Sequence, residues 1–174
     1  MNETYGELSH SDGYVTALME REIEVPVETV WQMLATEENR VKWLAPGSID
    51  LKVGGRAILD FKDSYVLVNS EVTACEPNRV LEFSWSSPDE PLRPIRFELE
   101  TTTSGSKILL SVSIPDEEVV ARSCAGWEAH LTMLQAAAAG VSVKFPIERF
   151  KLCREDFDQQ LLTLTMAGVE VLKL

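Results

Sequence analysis

Arg21 and His130 are the side chains whose setting most invites chemistry. Arg21 falls in an alternating stretch that begins at Tyr14, on the same face as Val15, Ala17, Met19, Ile23 and Val25, with Glu20, Glu22 and Glu24 opposite. A guanidinium on an apolar face costs several kcal/mol unless it is paired. It can anchor the carboxylate, phosphate or carbonyl of a ligand, or it can pair with one of the many Glu residues or lie at a strand end. His130 stands one turn beyond Gly126, beside an apolar helical stripe. There an imidazole can donate to a ligand, act as a base, or sit at the edge of a core. With Glu128 or Arg21 it makes the one set able to do acid–base work.

Covalent chemistry has less support. A nucleophile needs a Ser or Cys beside a base that a third group orients. Cys124 lies six residues before His130 on the same predicted helix, so the two point apart, and no G-x-S-x-G or phosphate-binding loop occurs. No catalytic residue is therefore assigned. The other cysteines, Cys75 and Cys153, are distant, no C-x-x-C occurs, and the second histidine is His10. Structural zinc wants four clustered ligands, so neither a metal nor a cofactor is expected. Free thiols in a reducing compartment are the simplest reading, each a small core hydrophobe.

The elements that must position these residues follow from periodicity and turn chemistry. Residues 1–13 are polar and read as a disordered tail. The strand from Tyr14 stops at Pro26, which also suits a helix start; Val27, Val30, Trp31 and Leu34 then recur at helical spacing through Ala35. Thr36 begins a second short helix through Trp43. Strands follow at 49–53, 56–62, 65–75, 79–86, 93–101 and 107–114, punctuated by Gly54-Gly55, Asp63-Ser64 and Pro77-Asn78. Past Pro115, the apolar residues Val120, Cys124, Trp127, Leu131, Leu134 and Ala138 trace one stripe along a helix, which Gly140 closes. Residues 141–174 form an extension packed on the same domain, with a short helix near 154–166. One long amphipathic helix cannot cover itself, so a curved antiparallel sheet must wrap around it.

The 174 residues suffice for one domain with a sizeable core. A net charge of −12 offers no basic footprint for nucleic acid or for an anionic membrane. No apolar run approaches the roughly 18 residues of a membrane span, and the acidic start is not a secretory signal. A cytoplasmic protein is expected.

Five segments, in order, resemble the Hsp90-ATPase-activator-like (AHSA1-like) family of the START-like (SRPBCC) superfamily. They are Arg21 to Trp31 (with Val25 where alanine is commoner), Trp43-Leu44-Ala45-Pro46, Val53-Gly54-Gly55-Arg56, Glu76 to Trp85, and Gly126-Trp127 with Leu131 and Leu134. The likeness covers about residues 15–140, with a looser echo in Phe145 to Phe157. It implies an α+β helix-grip (Bet v 1-like) fold over 14–140, with a cavity between the long helix and the concave sheet. Trp43 would stand at the mouth, Phe61, Phe83, Trp85 and Phe97 on the strands, and Trp127, His130, Leu131 and Leu134 on the helix, with Arg21 as polar anchor. The implied function is non-catalytic binding of a small hydrophobic or amphipathic ligand such as a lipid, polyketide-like or aromatic metabolite, linked to stress response. A cyclase- or hydrolase-like activity in the same cavity and a co-chaperone-like interaction module are the alternatives. Eukaryotic activators carry a further N-terminal domain where this chain has only the tail, so stimulation of a chaperone ATPase is not expected. A homodimer stays open.

Overall fold

A computed structural model describes residues 5–61 and 65–171 of the chain. Strand β2 (Tyr14–Ile23) carries the predicted alternation, burying Val15, Ala17, Met19 and Ile23. Pro26 then leads into α1 (Val27–Ala35), whose predicted face is buried, and α2 (Glu37–Arg40) follows as a single turn, shorter than expected. Arg40 is sealed in the core and staples this turn, donating to Leu34 O at 3.0 Å and to Gly47 O. Burial lowers its pKa, the cost of a cation taken from water.

Six further strands form an antiparallel meander: β3 (Gly47–Ile49), β4 (Arg56–Phe61), β5 (Val66–Glu76), β6 (Val80–Ser84), β7 (Pro94–Thr101) and β8 (Ser106–Pro115). Gly54 takes the left-handed φ of 81° in the turn between β3 and β4, which a side chain would strain. The register of β5 against β6 slips between Val72 and Ala74, a bulge that bends the sheet.

Residues 7–11, read above as part of a disordered tail, instead form β1 (Glu7–Ser11), paired antiparallel with β2 from Glu7↔Leu18 to Ser11↔Tyr14. The sheet therefore has eight strands in the order β1-β2-β8-β7-β6-β5-β4-β3.

Helix α3 (Val120–Ala138) lies across this sheet, touching β2 and β8, with α1 beside it. Its predicted stripe is wholly buried, and each fully buried leucine contributes about 1.5–3 kcal/mol. Helix α4 (Ile147–Val171) is far longer than the short helix expected. It covers the outer side of α3 and reaches β1, with Cys153 and Phe157 fully buried. The result is the expected helix-grip fold, an α+β arrangement with α3 held by the sheet and capped by α4.

Candidate functional site

A cavity of about 880 Å³ opens along the first half of α3, within the size range of about 300–1,000 Å³ typical of ligand sites. The helix supplies Arg122, Gly126, Trp127 and His130, the sheet supplies Val68, Trp85 and Ile114, and Phe145 and Phe150 close the side toward α4. Trp85 and Trp127 meet edge to face at 4.9 Å, and Phe61 meets Trp85 at 5.5 Å. Such aromatic pairs favour this geometry because a positive ring edge faces a negative ring face.

His130 is the polar group set among these rings. Its Nδ1 donates to the carbonyl of Trp43 at 2.7 Å, and Trp43 is fixed in turn by donating Nε1–H to Met33 O at 2.8 Å. Burial pulls the imidazole below its ordinary pKa, outweighing the upward pull of the Trp43 carbonyl. The neutral ring therefore holds its proton on Nδ1 and offers Nε2 as an acceptor. Phe61, Trp127 and Phe145 surround it at 5.7 to 6.1 Å.

At the rim, Arg93 grips Glu118 with Nε at 2.7 Å and Nη2 at 2.9 Å, and reaches Glu90 at 3.4 Å. These carboxylates raise the Arg93 pKa, the bidentate bond to Glu118 most of all. The pair ties the β6–β7 connection to the turn before α3.

Arg21 is not in the cavity wall. Its guanidinium is paired with Glu128, a fully buried carboxylate on α3. The ion-pair reading of Arg21 is thus the one realised, and its partner lies 107 residues away along the chain. Glu128 also accepts from Arg149 of α4, by Nε at 3.0 Å to either oxygen and by Nη2 at 2.7 Å, and from the Cys153 thiol at 3.2 Å. The Arg149 guanidinium lies 5.0 Å over the Tyr5 ring. One carboxylate thus joins β2, α3 and α4 beneath the N-terminal segment.

The predicted wall residues divide accordingly. Trp85, Trp127 and His130 line the cavity, and Phe61 packs against it through Trp85 and His130. Trp43, expected at the mouth, is instead 1% exposed in the core, edge-on to Phe97 at 6.1 Å. Its neighbour Leu44 faces the cavity instead. Phe83 and Phe97 on the strands are core residues, and so are Leu131 and Leu134, since the cavity runs along the α3 turns before those two. The sequence reading missed Arg93, Arg122, Phe145, Phe150 and Arg149. Arg122 and Gly126 precede His130 by eight and four residues, a spacing that could have placed them on its helix face.

Burial pushes the Cys124 thiol up to about 12 and leaves it protonated at neutral pH. Among the described residues no hydrogen bond joins a Ser or Cys to His130, and no group of three or more His, Cys, Asp or Glu residues could hold a metal ion. No helix among them is long and apolar enough to cross a membrane.

A single curved sheet gripping one long helix around an aromatic-walled cavity defines a START-like helix-grip protein. The family described as Activator of Hsp90 ATPase homolog 1-like protein matches residues 24–139, and the chain belongs to it. No curated protein matches the chain. Among solved structures, CalU16 from Micromonospora echinospora superposes with a TM-score of 0.72 at 18% identity, over 88% of this chain and 94% of that one. A conserved protein of unknown function from Enterococcus faecalis gives 0.75 at 17% identity, over 91% of each chain. DynU16, from the dynemicin biosynthetic locus, gives 0.64 at 23% identity, over 76% of this chain and 49% of that one. At these identities the likeness is one of fold.

Proposed function

We propose that the protein binds a small hydrophobic or amphipathic molecule in the cavity between α3 and the sheet, in the cytoplasm and without transforming it. The observation that carries this is the 880 Å³ cavity, with Trp85 and Trp127 in its wall beside His130, Arg122 and the paired charges of Arg93, Glu118 and Glu90. The absence of a nucleophile–base pair among the described residues supports binding over catalysis, and the place of DynU16 in a biosynthetic locus accords with a metabolite-sized ligand.

Native mass spectrometry of protein purified from cells, followed by denaturing extraction, tests this. A reproducible small molecule released on unfolding is the expected result. A bare mass in every preparation, with no uptake of added aromatic compounds, would refute it.

A further inference from the structure

Arg122, Gly126 and His130 are spaced four residues apart on one face of α3, and all three line the cavity. At about 1.5 Å rise per residue, Arg122 and His130 stand roughly 12 Å apart along the helix. Between them Gly126 presents bare backbone, and a Cβ built there meets nothing within 4 Å, so the space above it is open. The strip is a flat shelf with a polar group at each end.

The two ends differ in kind. Arg122 is exposed and meets no acceptor among the described residues; Glu118, four residues earlier, has both carboxylate oxygens committed to Arg93. The remaining lining charges, Arg93, Glu118 and Glu90, already face one another. Arg122 is therefore the cation left to meet a ligand's charge. At the other end, His130 spends Nδ1 on Trp43 O and keeps Nε2 as an acceptor within an aromatic cage.

We infer that the ligand is a flat aromatic acid lying along α3 over Gly126, with its anionic group at Arg122 and a hydroxyl donating to His130 Nε2. This deepens the binding role proposed above and rests on it. An exposed guanidinium attracts a carboxylate modestly in water but aligns it. The hydroxyl bond, out of water among rings, supplies selectivity at the inner end.

Three probes separate the contributions: 4′-hydroxybiphenyl-4-carboxylate, biphenyl-4-carboxylate without the hydroxyl, and 4-phenylphenol without the acid. Affinities are read by calorimetry on the full chain. In the unaltered protein the first probe binds tightest, and loss of either group weakens it roughly fivefold. In His130→Phe, which keeps the aromatic cage, the two carboxylates bind equally. In Arg122→Met the acid-bearing probe loses its advantage over 4-phenylphenol. Gly126→Leu, whose Cβ enters open space, weakens all three at least tenfold while the melting temperature holds.

If all three probes bind but neither substitution changes their ranking, the oriented-acid inference falls and the binding role stands. If Gly126→Leu leaves every affinity unchanged, the shelf is not the site. If no probe binds the unaltered protein, the oriented-acid inference falls, and the binding role is decided separately by the native mass spectrometry.

Discussion

Arg149 and Glu128 form a two-pronged ion pair between α4 and α3, with Nε and Nη2 of the guanidinium 3.0 and 2.7 Å from a carboxylate that is wholly buried. Arg21 approaches the same carboxylate from β2. An anion in that position is tolerable because two cations and a thiol satisfy it together. Removing it leaves two guanidinium groups facing each other without compensation.

Glu128→Gln is therefore expected to destabilise the fold by about 3 kcal/mol, in the range seen when one partner of a buried ion pair is removed. Urea unfolding followed by circular dichroism measures it. A loss below about 0.5 kcal/mol would show that the two arginines find water instead of needing the carboxylate.

Phe157 makes the companion test of α4. It is fully buried on a helix far longer than the short one the sequence predicts near 154–166. Phe157→Ala should cost about 3–5 kcal/mol, as for other buried aromatic truncations. A surface-like loss of a few tenths would mean that α4 rests on the domain without being part of its core.

His130 sets a pH dependence. Burial lowers its folded pKa below the ordinary 6.5, so below that value the unfolded chain binds the proton more readily than the folded one. The neutral-form advantage is present above about pH 7. It declines as pH falls through the unfolded value toward the folded one. Comparing unfolding free energies of the unaltered protein and His130→Phe between pH 5 and 8 should show a gap that narrows or reverses on acidification. A constant gap would contradict the buried, neutral assignment.

Much of the fold was legible because the alternation of β2 and the stripe from Val120 to Ala138 each match one structural period, and both stripes are buried. β1 was not. Glu7 to Ser11 is a polar edge strand with almost no buried side chain, and it is specified by its register with β2. α4 was underread because, among its described side chains, Cys153 and Phe157 are the fully buried ones, too sparse a stripe to mark a helix.

The candidate site divides in the same way. Arg21 announced its need for a partner, since a charge on an apolar face demands one, but which Glu would answer depends on how α3 crosses β2. The family likeness places Trp43 at the cavity mouth. Its indole N–H finds Met33 O inside the core, and that bond lets it sink. The position of the cavity along α3 depends on where Phe145 and Phe150 return, which no local pattern encodes.

The most direct test of the cavity's role is an indole-resolved NMR titration with 4-phenylphenol. The chain has four tryptophans. Trp85 and Trp127 line the cavity, whereas Trp31 and Trp43 are buried away from it. The account predicts saturable shifts of the Trp85 and Trp127 indole signals, with those of Trp31 and Trp43 nearly still. Equal shifts at all four indoles, or none at any concentration, would contradict it.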